Sequence, residues 1–464
     1  NIYRVLIFTL KVLDLTPILR TYAKWRTSQL KFQDPVFSQE TQLKKLLHKA
    51  KNTKFGIDHN FSKVNDVHTF QANVPLRKYE QIWEEYWKPT FPVLKDCTWP
   101  GTIPYFPVSS GTSSGVTKYI PCTHEMIRSN SKAGLDLLVH HLNNKPNSKI
   151  FGGRSFMLGG STDLTEQAPG IFSGDLSGIT VKALPWWARP RYFPPTNLAL
   201  IKDWEEKIEV LGRESLKSNI RMLGGVPSWM LIFFEKLSAS LNKKDIRIAD
   251  IYPELEMLTH GGVNFSPYYD RFKKVLEGSN AELREVYPAS EGFIATADLN
   301  YGEGLRLNLD NEIFFEFVPL EELSNPNPTR HWIKNVETGV NYAIVLTTCA
   351  GLWGYVIGDT IRFINKNPYR VLVTGRTSYY LSAFGEHLIA EEIEDAVSNS
   401  AHSINVTVED YSVGALYPEK EGDLGGHLYV MELSKENISE EEERSLINNI
   451  DKKLIQRNED YEAH

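Results

Sequence analysis

Hydrophobic and polar positions alternate along this chain between a helical period and a strand period. From Ser38 to Lys51 and from Lys78 to Lys88, charged residues interleave with Leu, Ile, Trp and Tyr at helical spacing, which predicts two helices. The apolar run Ile103 to Val108 then enters a polar loop. Val116, Thr117, Tyr119 and Ile120 beyond it are β-branched or aromatic and Pro121 closes the run, so the segment reads as the second strand of a hairpin. Thr123 to His141 returns to helical spacing, with Met126, Ile127, Ala133, Leu135, Leu137 and Leu138 apolar.

Further on, helices are predicted over 200–213, 228–241 and 272–276, and strands over 255–259, 283–287, 312–317, 342–348 and 369–375. Four Gly-Gly pairs, at 152, 159, 224 and 261, punctuate this region as tight strand-to-loop turns around a cleft. Strand, glycine-hydroxyl loop and helix in succession belong to an α/β domain with mixed sheets. The proline-rich stretch from Leu184 to Pro195 is too broken for a regular element, and it reads equally as the lining of an apolar pocket or as a packed surface loop.

After Gly375 the pattern changes to a helix over 386–398, strands over 405–411 and 427–433, and a last helix capped by Ser439 with Glu442 three residues on. The expected division is a large domain over 1–377 and a small α+β domain over 378–464, hinged near Thr377 to Tyr380. At the other end, Ile2, Val5, Leu6, Thr9, Val12 and Leu13 recur at helical spacing, predicting an amphipathic helix packed on the body in preference to a membrane-surface anchor. Arg4, Lys11, Asp14 and Arg20 interrupt it, so no stretch reaches the roughly 18 to 20 apolar residues that span a bilayer. Because the chain does not start with Met, further residues are expected before Asn1.

Composition narrows the classes. The 464 residues are 41% hydrophobic and 23% charged, with a net charge of −7. No basic stripe interleaved with aromatics stands out and the overall sign is wrong for nucleic acid, so none is expected as a partner. Cys97, Cys122 and Cys349 are far apart and odd in number, which fits a reducing, cytoplasmic setting. His124 to Arg128 begins like a H-E-x-x-H zinc motif but lacks the second histidine, and reads as a helix start.

Candidate chemistry lies in three clusters. The first is Ser109 to Lys118: hydroxyls at Ser109, Ser110, Thr112, Ser113, Ser114 and Thr117, glycines at Gly111 and Gly115, and a closing lysine. Glycine permits positive φ, so successive N–H groups turn inward as an anion nest, hydroxyls donate further bonds and the lysine neutralises charge. A P-loop is absent, because the glycines are one residue too close and Lys118 does not follow the second. Gly111-Thr112-Ser113-Ser114-Gly115 does satisfy the G-x-S-x-G nucleophile elbow, which keeps a serine hydrolase using Ser113 as a rival. A polar hairpin turn is the plainest alternative.

The second cluster, Tyr287 to Gly292, follows a predicted strand. A tyrosine face stacks on a base, a hydroxyl at Ser290 binds a phosphate oxygen, and a carboxylate at Glu291 binds Mg²⁺. The third, Gly354 to Arg362, places Asp359 behind a glycine between two strands, where its two oxygens suit vicinal ribose hydroxyls; an ordinary turn aspartate is the other reading.

In this order the clusters resemble the adenylate-forming enzymes, above all the acyl-acid amido synthetases typified by the auxin- and jasmonate-conjugating enzymes of plants and their bacterial relatives. Arg376 and the segment Ala383 to Leu388 support the resemblance, which spans most of the chain. It implies a large domain with mixed sheets and a β-barrel-like part that binds ATP, Mg²⁺ and a carboxylic acid, and a small mobile α+β domain. The reaction implied is adenylation of the acid with release of pyrophosphate, then displacement of AMP by an amino acid's amine. Ser109, Ser110, Gly111, Thr112, Ser113, Gly115 and Lys118 would hold phosphate, Tyr287 adenine, Ser290 an α-phosphate oxygen, Glu291 the metal and Asp359 the ribose, with Arg376 near the hinge. Lys118, Ser290 and Glu291 would carry the catalytic load. A thioester ligase using coenzyme A is the alternative outcome of the same first step. Two departures stand out: Val356 replaces a basic residue usual in plant members, and a tail lysine contributing to adenylation in the family has no counterpart here, so a longer chain is expected. Oligomeric state is not legible.

Overall fold

Three sheets carry the architecture of the computed structural model, which describes residues 12–110, 117–159, 163–185, 188–199, 201, 204–243, 247–262, 265, 268–377, 388, 390–416, 426–435, 437–458 and 461. In chain order the strands are β1 (Tyr105–Ser110), β2 (Thr117–Tyr119), β3 (Arg154–Leu158), β4 (Leu164–Ala168), β5 (Ile171–Gly174), β6 (Tyr192–Phe193), β7 (Ile220–Gly225), β8 (Met257–Gly261), β9 (Glu282–Ala289), β10 (Gly292–Thr296), β11 (Leu305–Leu307), β12 (Ile313–Pro319), β13 (His331–Trp332), β14 (Asn341–Thr348), β15 (Tyr355–Lys366), β16 (Tyr369–Arg376), β17 (Val408–Leu416) and β18 (Gly426–Leu433). The longer helices are α1 (Thr16–Lys31), α2 (Pro35–Ala50), α3 (His124–Asn144), α4 (Trp204–Ser215), α5 (Pro227–Ser240), α6 (Ala390–Ser403) and α7 (Glu440–Arg457).

One sheet has twelve strands in the order β13-β12-β14-β15-β16-β11-β10-β9-β8-β7-β3-β6. Its half from β9 to β6 is parallel and its other half antiparallel, so β9 is the seam, parallel to β8 and antiparallel to β10. Each half has its own core. The antiparallel half buries strands such as β12, whose seven residues Ile-Phe-Phe-Glu-Phe-Val-Pro are all buried; covered on both faces, it loses the alternation of a half-exposed strand. Glu316 within it is compensated by Arg330 at 2.8 Å, and Gln39 of α2 donates to Leu309 O and Ile313 O, fixing that helix on the sheet. The parallel half packs α4 and α5 through Phe156, Leu223, Phe233 and Phe234. Gly225 and Gly261 end β7 and β8 where a Cβ would strike a neighbouring carbonyl, Leu158 O at 2.6 Å and Val286 O at 2.2 Å, so these pairs admit close strand approach.

Most predicted elements stand where the periods put them. α3 is capped by Thr123, whose hydroxyl accepts from Met126 N at 3.0 Å, and Ser439 and Glu442 form both halves of a capping box on α7. The N-terminal expectation shifts. Residues 2–11 lie outside the described residues, Val12 to Leu15 are not helical, and the helix that packs on α3 starts only at Thr16, with Pro17 in its first turn. Trp186 and Trp187 of the proline-rich stretch are also outside the described residues. In the C-terminal part, α6, α7, β17 and β18 enclose a cluster that includes Leu388, Ile393, Val397, Leu446, Ile450 and Leu454. Among the described residues no helix is long and apolar enough to cross a membrane.

Candidate active site

The first cluster sits on a β-hairpin, as its residue types require. β1 and β2 pair antiparallel with Val108 opposite Tyr119, Ser109 opposite Lys118 and Ser110 opposite Thr117. Gly111, Thr112, Ser113, Ser114, Gly115 and Val116 lie outside the described residues, as does the side chain of Ser110. The chain returning from them is a strand, and the next helix begins at His124. A nucleophile elbow runs from strand through a sharp turn straight into a helix, so this geometry corrects the rival hydrolase reading of Ser113. Lys118 is held at the hairpin's base, its ammonium 5.3 Å from the centroid of the Tyr79 ring and 3.5 Å from Glu80. Tyr79 in turn accepts from Tyr119 N at 2.9 Å, locking the hairpin to the preceding helix.

The second cluster is also a hairpin turn. Ala289 pairs with Gly292, leaving Ser290 and Glu291 as a two-residue loop between β9 and β10. Gly292 has φ +154°, and a Cβ there would meet Ile313 Cδ1 at 2.9 Å, so the turn must be followed by glycine. Ser290 is half-buried, while Glu291 points inward and is 8% exposed.

Sequence placed the third cluster between two strands, but Asp359 lies within the single twelve-residue strand β15. What looked like a break is a bulge. β14 residues Ala343 and Val345, two apart, pair with Thr360 and Val356, four apart, so the Ile357-Gly358-Asp359 stretch is pushed out of the ladder. Gly358 takes φ +95° there, and a Cβ on it would come within 3.1 Å of the Arg376 guanidinium. That room lets Arg376, the cross-strand partner of Asp359 on β16, donate from Nη1 to Asp359 Oδ1 at 2.5 Å.

Two tyrosines tie the second and third clusters together. Tyr287 Oη donates to Asp359 Oδ2 at 2.6 Å, and Tyr355 Oη lies 3.5 Å from Glu291 Oε1. The β9–β10 hairpin thus supplies Tyr287 and Glu291, β15 supplies Tyr355 and Asp359, and each tyrosine addresses the carboxylate of the other element. Tyr287 is 6% exposed, so its ring packs in the core and only its hydroxyl reaches the site.

Burial sets the electrostatics. Desolvation pushes Glu291 up to about 7, with the Asp359 charge adding to the rise and Arg376 and Lys118 opposing it. Asp359 is also raised, again by burial, against the pull of Arg376 and Tyr287. Burial drives both tyrosine hydroxyls well above their ordinary range, so they are donors at any working pH. A divalent cation fits the donor set at Glu291: an enclosed carboxylate that accepts from its own backbone N–H and meets Tyr355 Oη at 3.5 Å, which leaves acceptor capacity on its two oxygens. Among the described residues no group of three His, Cys, Asp or Glu could hold a metal. Glu291 would therefore give one protein oxygen to a Mg²⁺ that arrives with phosphate oxygens, the usual mode for this ion.

With that geometry in place, comparison with known proteins is decisive. The GH3 family N-terminal domain model matches residues 29–203 and 164–281, and the GH3 family central domain model matches residues 307–376. The chain belongs to the GH3 family. All three clusters fall inside or beside the matched segments. Indole-3-acetic acid-amido synthetase GH3.3 of Arabidopsis thaliana is 31% identical over 96 residues, a match covering 20% of this chain and 16% of that protein. Among solved structures, the AtGH3.15 acyl acid amido synthetase in complex with 2,4-DB superposes with a TM-score of 0.78 at 16% identity, covering 94% of this chain and 85% of that one. A 2-hydroxyisobutyryl-CoA ligase in the postadenylation state superposes with a TM-score of 0.60 at 14% identity, covering 90% and 82%. The fold of this GH3 chain is shared with these two solved ligases.

Within this GH3 site, sequence reasoning missed the work of Tyr355, Tyr79 and Glu80. It also flagged Val356 as a departure, and the structure accounts for it: the side chain packs with Val318, Ala343 and Val345, where it can make no phosphate contact.

Proposed function

We propose that this GH3 chain is an ATP-dependent ligase that adenylates a small carboxylic acid, releases pyrophosphate, and then passes the acyl group to the amine of an amino acid, giving an amide and AMP. The observation that carries the reading is the pair of tyrosine–carboxylate contacts that join the β9–β10 turn to the β15 bulge, with Arg376 on Asp359, in a chain whose Lys118 stands at the base of the β1–β2 hairpin. A carboxylate is a poor acylating agent, because the group that must leave is an oxide or hydroxide. Attack of its oxygen on the α-phosphorus of ATP expels pyrophosphate and leaves a mixed anhydride from which AMP departs readily when the amine adds.

Each group then has a task that its environment suits. Asp359, oriented by Tyr287 and Arg376, accepts from the ribose hydroxyls, since two bonds leave room for more on its four acceptor sites. Lys118, with the loop residues Ser109, Ser110, Gly111, Thr112, Ser113 and Gly115, neutralises the phosphates, and Ser290 donates to an α-phosphate oxygen. Two anions are brought together, so donors placed where charge builds are the main catalytic term. Mg²⁺, when held by Glu291, adds Lewis-acid neutralisation of the phosphates. No protein nucleophile is needed.

The C-terminal unit, residues 378–464, is assigned the swing between the two half-reactions. One described ion pair to the body, Arg271–Glu409, is partly exposed, and such a pair contributes only about 0–1 kcal/mol, a tie that can be broken and remade. Product analysis tests the second step. Mass spectrometry of a reaction with Mg-ATP, mixed acids and mixed amino acids should show an amide, with or without coenzyme A. A thioester formed only when coenzyme A is present would replace the amide step with thioester formation.

A further inference from the structure

The first 55 residues hold eleven Lys and Arg against three Asp and Glu, a net charge of +8, in a chain whose total is −7, so the remainder carries −15. This basic segment is also where aromatic side chains stand in the open. On α1, Ile18, Trp25 and, one residue past the helix, Phe32 follow one another at seven-residue spacing, which puts them in one stripe, with Tyr22 beside it partly buried against the core. The stripe is about 21 Å long at 1.5 Å per residue. Ile18, Trp25 and Phe32 are 68%, 56% and 78% exposed. The adjacent face of α1 does the packing, through Leu19, Ala23 and Arg26. Three residues past Phe32, α2 begins at Pro35, and Phe37 in its first turn is 68% exposed. The junction between the two helices therefore presents two phenylalanines, with exposed lysines at Lys24, Lys31, Lys44 and Lys45 on the helices either side.

Large apolar side chains exposed together mark a contact surface, because leaving them in water forgoes the burial energy that placed others in the core. The charge of the segment selects the partner. We infer that α1 and the α1–α2 junction dock in the plane of an anionic lipid surface, with Trp25, Phe32 and Phe37 at the headgroup level and the lysines on the phosphates. An aromatic and apolar stripe bordered by cations is the form such interfacial helices take, and each Lys or Arg close to an anionic surface contributes about 1 kcal/mol. An acidic protein is repelled by the same surface, so the contact has to be made by this end of the chain. It requires no spanning segment and leaves the nucleotide site outside the contact, since none of these residues belongs to that site.

Flotation with vesicles tests the inference on the full chain. The protein should float with vesicles of phosphatidylcholine containing phosphatidylglycerol, should not float with phosphatidylcholine alone, and should lose at least tenfold in partitioning as W25D/F32D. K24E/K31E should weaken flotation and flatten its dependence on salt. Because all four side chains are exposed, both variants should keep the unfolding midpoint of the parent. Absence of flotation with anionic vesicles at low salt, or flotation unchanged in W25D/F32D, would overturn it. So would a concentration-dependent dimer that W25D/F32D dissolves, which would assign the stripe to a second copy.

Discussion

Tyr287 and Asp359, 72 residues apart in the chain, meet through a 2.6 Å hydrogen bond that joins the seam strand of the large sheet to the bulge in β15. A buried tyrosine that donates to a buried carboxylate fixes where the carboxylate's remaining acceptors point. Tyr287→Phe removes that donor and keeps the ring. ATP affinity should fall roughly three- to tenfold, the range of one ordinary hydrogen bond, with little change in the unfolding midpoint. Asp359→Ala should cost more, about 1.5 to 3 kcal/mol per bond to ribose, or roughly tenfold to a hundredfold. Equilibrium binding of ATP to both variants checks this; equal affinity in Asp359→Ala would show that the ribose lies elsewhere.

Glu291 makes a prediction about pH. An unfolded glutamate titrates near 4.3 and the folded one near 7, so between these values the folded state holds the extra proton. Its contribution is therefore favourable below about pH 4 and is lost as pH rises through 7, a difference on the order of 3 kcal/mol. Glu291→Gln should be more stable than the parent at pH 8 and should lose that advantage progressively as pH falls to about 4, as read by denaturant unfolding without nucleotide. Binding of Mg-ATP should strengthen with pH across the same window in the parent and not in the variant.

Lys118 should separate function from stability. Its pair with Glu80 is partly exposed, worth about 0–1 kcal/mol, so Lys118→Ala should leave the unfolding midpoint nearly unchanged. Loss of a cation at the phosphates should lower the adenylation rate about 10²- to 10³-fold. Single-turnover formation of AMP is the measurement.

Arg26 should do the reverse. It is 2% exposed and bonds Asp136 through Nε and Nη2 at 2.7 Å each, and Asp310 through Nη1 and Nη2 at 2.7 and 2.9 Å. Arg26→Ala strands the buried Asp136 carboxylate, while Asp310 keeps Lys132 at 3.1 Å; leaving one buried charge without its partner costs about 3–5 kcal/mol. Unfolding should shift accordingly, while ATP affinity of the folded fraction should be retained.

How far the sequence could be read follows from the range of each cause. Helix α3 and its Thr123 cap, the hairpin at Ser109 to Lys118 and the Ser439 capping box depend on neighbours a few residues apart, and all were legible. The bulge that exposes Asp359 depends on the register of β15 against β14 and β16, which no local pattern records. The burial of the Tyr287 ring is not recorded locally either, because a strand-end aromatic has no local sign of being buried. One signal was available and overlooked: Tyr287 precedes Glu291 by four residues, and Tyr355 precedes Asp359 by four. That repeated spacing, a tyrosine ahead of an acid on each of two strand segments, is the trace of the crossed pairing in the folded site.

The central claim is that the site adenylates a carboxylic acid, and nucleotide product analysis tests it most directly. The protein would be incubated with Mg-ATP and a pool of aryl and alkyl carboxylic acids, then with mixed amino acids. The account predicts AMP and pyrophosphate in equal amounts, formed only when an acid is present and about 10²- to 10³-fold more slowly in Lys118→Ala. ADP as the product, or acid-independent release of either product, would contradict it.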